Sequence, residues 1–318
     1  YGGNVHCLVF TALMARFANC PVLYAYSKEE HFTAHQTRMV TKGHVKFGMK
    51  KDGLATAVEM TQIADAGATA STQEFMLAVG TNSLPILCKT NNKEFDAKVV
   101  VTNHVPSGSF RGYGYLESSN LLTAAIFEAC RRVDVDPMVY LEKNALALGE
   151  EFHNACSPMH PWQHNNSSDW QNLVRETAKA CHWSERWKGW GVPTWVSLDG
   201  KKRRGIGVSA AGHADTGGKT SNATVTITGL GAVYISTCMA EFGSGIRDIM
   251  QKIVAEELDM PIESVKMAPA DTGATPADFG STGSRSTYCG GICALKAAQD
   301  GKRQLVENDE QRHGIPKD

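Results

Sequence analysis

The stretch Ser107-Gly108-Ser109-Phe110-Arg111-Gly112-Tyr113-Gly114-Tyr115 sets three glycines, one arginine and three aromatic rings just ahead of a helical pattern. Glycines at that density let the backbone take positive φ and come close to a ligand, and a guanidinium among them can fork onto phosphate or oxo groups. Such a loop grips an anion. Taken alone, a glycine-rich stretch is more often an ordinary tight loop with its rings in the core, so the surrounding chain has to decide.

Downstream, Leu122, Ala125, Ile126, Ala129, Cys130 and Val133 recur at the spacing of one apolar helix face. Asp136-Pro137 then opens a second, short helix ending near Gly149, with proline at its first position. Upstream, residues 97–102 read as a strand and 65–92 as a loop-rich stretch. Residues 44–49 and 54–63 flank Lys51-Asp52-Gly53, whose Asp-Gly pair favours a two-residue hairpin turn. A short strand at 22–26 and a helix at 5–17 complete the first part. The pattern stops at 150–169, where Cys156 to Asn166 read as an exposed connection and mark a domain boundary. His160 and His164 tempt one toward a metal there, but Pro161 breaks the helix that would align them. A helix at 170–187 follows, and Lys201-Lys202-Arg203-Arg204 reads as a solvated basic turn.

The second half changes character. Residues 205–211, 223–228 and 232–237 read as strands separated by glycine-rich turns. Glu241-Phe242-Gly243-Ser244-Gly245 opens a helix with an apolar face of Ile246, Ile249, Met250, Ile253, Val254 and Leu258. A Gly-Ser-Gly run at a helix start offers free N–H groups and the helix dipole to an anion, although a plain cap reads equally well. Residues 262–267 read as a strand and Asp271-Thr272-Gly273 as a turn. Gly280-Ser281-Thr282-Gly283-Ser284-Arg285-Ser286-Thr287 then leads into a helix at 291–306. The expected architecture is α+β: a first domain over 1–149, a connecting segment with one helix over 150–200, and a second domain over 201–318.

Composition bounds the function. With 318 residues, 42% of them apolar and 20% charged, the chain can bury a real core, and a net charge of -1 gives no reason to expect nucleic acid or an anionic membrane. The apolar stretch 5–23 lacks a basic leader and is interrupted by Arg16 and Asn19, so it reads neither as a signal nor as a membrane span. The nine cysteines show no C-x-x-C spacing, which argues against zinc or iron-sulfur ligation here and for reduced thiols in a cytoplasmic protein. Neither a P-loop nor a Rossmann fingerprint occurs. Three anion-ready loops in one chain point to a large phosphate- or pyrophosphate-bearing cofactor held by backbone amides and hydroxyls, with Arg111 and Arg285 adding charge.

At this point the residues carry a resemblance. Ser109-Phe110-Arg111-Gly112-Tyr113-Gly114 resembles the A-F-R-G-F-G signature of the molybdenum hydroxylases, the xanthine oxidase family. Glu241 to Gly245 resembles that family's E-M-G-Q-G, and Asp136-Pro137, Asn144, Asp271-Thr272 and Gly283 to Thr287 follow in the same order. The resemblance runs from end to end. It implies two molybdopterin-binding domains of a large subunit, both incomplete here. The cofactor it implies is a molybdopterin, in dinucleotide form, carrying molybdenum with no direct protein ligand. Iron-sulfur clusters and FAD would sit on partner subunits, and the substrate would be a small aromatic or aldehyde.

Carried over by position, the resemblance gives Ser109, Phe110, Arg111 and Gly112 to the molybdenum centre. It gives Gly243, Ser244, Gly245, Thr282, Gly283, Ser284 and Ser286 to the pterin. Tyr113 stands where the family has a ring that stacks on substrate, and His213 falls near its second stacking ring, although a turn histidine is an equally good reading. Glu117 stands where the family often has glutamine, and a helix-start carboxylate is its simplest reading. Ser244 replaces the family's glutamine. Val79 and Tyr1 occupy the substrate positions where purine-oxidising members carry arginine and glutamate, which argues against xanthine. Gly112 stands where the carbon monoxide dehydrogenase branch has cysteine. The family's general-base glutamate is expected beyond Asp318, so no catalytic residue is assigned within this chain. The implied activity is hydroxylation or dehydroxylation of an aromatic heterocycle, aldehyde or aryl-CoA thioester. The competing readings are a non-catalytic remnant that keeps the fold without turnover, and a different pyrophosphate-cofactor binder.

Overall fold

The expected hairpin is the frame of the first half of the molecule. In the computed structural model, which describes residues 5–153, 162–213 and 220–314, β1 (Val40–Met49) pairs antiparallel with β2 (Ala55–Gly67). The loop between them is one residue longer than the Asp-Gly pair suggests. Lys50 N–H donates to the Leu54 carbonyl at 2.9 Å, and Gly53 takes φ 83° within the turn. The third strand, β3 (Lys93–Val101), runs parallel to β2 and starts four residues earlier than expected. Parallel pairing needs a crossover, and the stretch 65–92 supplies it. It is not loop-rich. It holds helices α1 (Gln73–Gly80) and α2 (Ser83–Leu87), whose Met76, Leu77, Leu84 and Leu87 are buried.

Alternate residues of β2, namely Val58, Met60, Gln62, Ala64 and Ala66, are buried on one face. Helix α3 (Tyr115–Arg132) lies over that face with Leu122, Ile126 and Cys130 fully buried. Each such aliphatic side chain is worth about 1.5–3 kcal/mol relative to exposure. Helix α4 (Pro137–Asn144) is capped by Asp136, as the Asp-Pro pair predicts, and ends before Gly149. Asn144 at its end ties the helix to the hairpin: its amide accepts from Ala55 N–H at 2.9 Å and donates to the Gly53 carbonyl at 2.8 Å.

Residues 5–18 are helical as expected, but 22–26 form no strand. Tyr26 instead joins a ring cluster with Tyr24, His31 and His35. The segment after 149 is more structured than an exposed connection. Glu151–His153 pairs with Trp162–His164, and helices follow at Trp170–Ala180 and Trp183–Arg186. Trp183 is buried and donates to the Asp136 carboxylate at 3.0 Å, while Trp190 donates to the Val135 carbonyl at 3.0 Å. Arg203 and Arg204 pair with Trp195 and Val196 in a short antiparallel ladder instead of a bare turn. Residues 205–211 form no strand, yet Ile206, Val208 and Ala210 pack on the same core. Contacts therefore group residues 2–213 as one compact unit and 214–318 as a second.

The second unit has its own core. Strands β4 (Ala223–Ile227) and β5 (Val233–Thr237) are antiparallel, and β6 (Val265–Met267), entered through a 3-10 turn at Ile262–Ser264, runs parallel to β5. Helices α5 (Ile246–Glu257) and α6 (Gly291–His313) pack against this sheet and each other through Met250, Val254, Ala294 and Ala298. A π-helical turn at Ser286–Gly290 leads into α6. No described helix is long and apolar enough to cross a membrane.

Candidate functional site

The loop at 107–115 is held at its base by the end of β2. Ser107 N–H donates to the Ala66 carbonyl at 2.9 Å and its hydroxyl to the Asp65 carbonyl at 2.8 Å; buried Gln73 donates to the Ser107 carbonyl at 2.6 Å. Asp65 is itself pinned by Thr102, the Gly67 N–H and His104, which together lower its carboxyl to about 2. A strap at 36–38, in which sequence reasoning saw no role, runs along the loop. Thr37 pairs with Ser107 as a single parallel bridge, and Gly108 N–H donates to the Thr37 carbonyl at 3.0 Å.

The crest of the loop then takes three consecutive left-handed residues: Gly112 at φ 95°, Tyr113 at 46° and Gly114 at 94°. Tyr113 pays a conformational cost of about 1–2 kcal/mol for this. Gly114 has no alternative, since a Cβ there would sit 1.8 Å from the Met76 carbonyl oxygen of α1. The result is a sharp entry into α3. Among the described residues, the N–H groups of Ser109, Phe110, Arg111 and Gly112 donate to no protein acceptor. A run of unengaged amides on a tight crest fits an oxygen-rich anionic group, the chemistry of a molybdopterin.

Phe110 and Arg111 are exposed, Ser109, Gly112 and Tyr113 half-buried. Arg111 contributes its carbonyl, which accepts from Arg38 at 2.8 Å. The Tyr113 ring lies edge-on to Phe75 at 6.0 Å, against the small core of Met39, Ala64, Met76 and Leu77. His213 lies against Tyr115, ring centroids 4.3 Å apart, so the chain does bring it to the loop. Val79 is in α1 and only 3% exposed, so its side chain is buried in the protein and faces no open pocket. Tyr1 and His160 lie outside the described residues. His164 sits in the short ladder after 161, and among the described residues no group of three or more His, Cys, Asp and Glu is placed to hold a metal.

The loops of the second unit are built differently. The Glu241 carboxylate turns back on its own loop: one oxygen accepts from the N–H groups of Gly243 at 2.6 Å, Ser244 at 2.7 Å and Gly245 at 3.2 Å, the other from Arg247 at 3.4 Å. Desolvation pushes this carboxyl up, but the donors of Gly245, Gly243, Arg247 and Ser244 outweigh it and hold it below the usual glutamate range. The anion nest at the start of α5 is thus filled by the protein's own anion.

The 280–286 loop lies alongside, with the Ser281 hydroxyl donating to the Ala240 carbonyl at 3.1 Å. Thr282 and Ser284 are exposed and Gly283 half-buried, and Ser286 begins the π-helical turn. Gly283 and Ser284 have positive φ, 54° and 60°. Arg285, expected to add charge for the cofactor, points inward instead. Its side chain is 1% exposed and paired at 2.9 Å with Asp278, whose side chain is fully buried. It also donates to the carbonyls of Gly280 at 2.8 Å and Thr220 at 2.7 Å and to the Ser221 hydroxyl at 2.5 Å. Arg285 is a latch that shapes the loop from behind.

Models of the molybdopterin cofactor-binding domain match residues 1–145 and 166–318. The chain is 26% identical over 93% of its length to the probable hypoxanthine oxidase XdhD of Escherichia coli, of which it covers 31%. It is also 26% identical over 91% of its length to the gamma subunit of the 6-hydroxypseudooxynicotine dehydrogenase complex of Paenarthrobacter nicotinovorans, covering 36% of that protein. Among solved structures, the aldehyde oxidoreductase of Desulfovibrio desulfuricans superposes with a TM-score of 0.77 at 20% identity, over 99% of this chain and 35% of that one. The chain belongs to the xanthine oxidase family of molybdenum hydroxylases and carries its two molybdopterin cofactor-binding domains. It spans about a third of the length of these relatives.

Proposed function

We propose that this chain is the cofactor-holding portion of a cytoplasmic molybdenum hydroxylase that hydroxylates or dehydroxylates an aromatic heterocycle, aldehyde or aryl-CoA thioester. The single observation that carries this reading is the crest at 109–112, whose successive amides are engaged by no acceptor among the described residues. Ser109 to Gly112 would hold the molybdenum end of a molybdopterin through those N–H groups. Gly243, Ser244 and Gly245 with Thr282, Gly283, Ser284 and Ser286 would hold the pterin and its dinucleotide extension. Because the amides of 243–245 already serve Glu241, the second unit would contact the group through hydroxyls and close backbone approach. When bound, the group supplies the two-electron redox step at the substrate carbon. The chain's own part is to orient that centre and to offer Tyr113 and His213 as ring surfaces for a planar substrate. Aliphatic Val79 stands where purine-oxidising members of the family carry arginine, which argues against xanthine as the substrate.

Electrons would leave through iron-sulfur and FAD-bearing subunits, and the remaining segments of the large subunit would complete the pocket. Metal and pterin analysis of the complex that carries this chain tests the reading. Molybdenum and a pterin nucleotide near one per chain are expected. Their absence, in a complex with an intact fold, would leave the non-catalytic remnant as the better account.

A further inference from the structure

The strap at 36–38 grips the loop at three successive residues. Gln36 covers Gly108 so closely that a Cβ on that glycine would lie 2.1 Å from the Gln36 amide oxygen. Thr37 carries the backbone bridge to 106–108. Arg38 reaches the crest itself. Its guanidinium donates to the Glu117 carboxylate at 3.1 Å and to the Arg111 carbonyl at 2.8 Å, and it lies 4.6 Å from the centre of the Phe110 ring.

Glu117 explains why Arg38 stays there. Its side chain is 4% exposed, and its second oxygen has no hydrogen-bond donor among the described residues. A buried carboxylate with one good charge partner holds that partner tightly, because its departure would strand the charge. Glu117 is on the first turn of α3, a rigid anchor. Arg38 therefore transmits the position of a helix to a loop that has few bonds of its own. A planar fork is needed to reach a carboxylate, a carbonyl and a ring face at once.

We propose that Arg38 is the positioning residue of the cofactor crest: anchored by buried Glu117, it fixes the Arg111 carbonyl and the Phe110 ring and so aims the amides of 109–112. Its link to cofactor retention rests on the function proposed above; the clamp itself does not.

The test uses the whole complex and three variants, Arg38→Gln, Glu117→Gln and the two combined. Hydrogen exchange is read at the amides of Tyr113 and Tyr115, which bond to Phe110 and Gly112 within the crest. Thermal melting and pterin content are read alongside. Arg38→Gln is expected to speed exchange at both amides by about tenfold, the scale of losing a charge-assisted hydrogen bond, and to lower pterin content. Glu117→Gln should speed exchange too, but by less than Arg38→Gln, because the amide oxygen still accepts from Arg38 while no buried charge holds it there. In the double variant the buried charge is gone, so melting should recover while fast exchange and low pterin content persist.

Unchanged exchange in Arg38→Gln would overturn the proposal. So would a double variant in which exchange, pterin content and melting recover together, since Arg38 would then only neutralise Glu117. If the parent complex holds no pterin, the functional reading fails, and the exchange and melting arms still decide the clamp.

Discussion

The loop at 107–114 and the loop at 241–245 share a composition and a place at a helix start, yet they solve the same backbone problem in opposite ways. The first is held from outside. Gly114 is wedged against α1, the strap at 36–38 runs alongside, and the crest amides at 109–112 are left without an acceptor among the described residues. The second is held from inside, by a glutamate two residues before its first glycine that takes up the N–H groups of the nest. A glycine-rich run before a helix therefore does not by itself offer free donors. What decides is whether a nearby carboxylate can reach back.

Arg285 gives the largest expected effect and tests whether the second unit's loops are held from within. Replacing it by glutamine leaves Asp278 with a buried charge and only N–H partners, which should cost about 3–4 kcal/mol. A chemical-denaturation midpoint lowered accordingly, with melting of the second unit ahead of the first, checks this. A change under about 1 kcal/mol would mean that Arg285 is not the latch its burial indicates. Next comes Gly114→Ala. The new Cβ would meet backbone, not a flexible side chain, and φ 94° is unfavourable for alanine besides, so a loss of about 3 kcal/mol is expected in the same measurement.

The contrast also separates what the sequence reveals from what it does not. Asp136-Pro137 and the periodic apolar residues of α3 and α5 were legible because capping and helical spacing are local. The two short helices at 73–87 were not, since they are too short for periodicity to separate from loop, and they exist because a parallel β2–β3 pairing needs a crossover. The stretch 205–211 alternates like a strand but pairs with no strand among the described residues. Of the site, the glycine loops were legible by composition and resemblance. The pairing of Arg38 with Glu117 was not: the two are 79 residues apart, and only the fold brings them together. Arg285 was visible, but its direction was not, because nothing local tells an inward arginine from an outward one.

Gly243→Ala sharpens the comparison directly. Its φ is 94°, like that of Gly114, yet nothing lies within 4 Å of the added Cβ. Only the left-handed backbone penalises it, by about 1 kcal/mol. If Gly243→Ala and Gly114→Ala proved equally damaging, wedging by α1 would have no role, and the difference between the two loops would collapse.

The smallest effect is the most diagnostic of the filled nest. The Glu241 carboxyl is held below its ordinary value in the folded chain, so its contribution is fully present above the unfolded glutamate value, about 4.3, and is lost as pH falls through the lower folded value. Glu241→Ala removes that dependence together with the acceptor oxygens. At neutral pH the parent should protect the amides of Gly243, Ser244 and Gly245 from hydrogen exchange better than the variant, and the two should converge as pH falls through that lowered folded value. Protection that stays equal at neutral pH would show that the carboxylate does not fill the nest in solution. The amides of 243–245 would then lack an internal acceptor, as those of 109–112 do among the described residues, and the two loops would be alike after all.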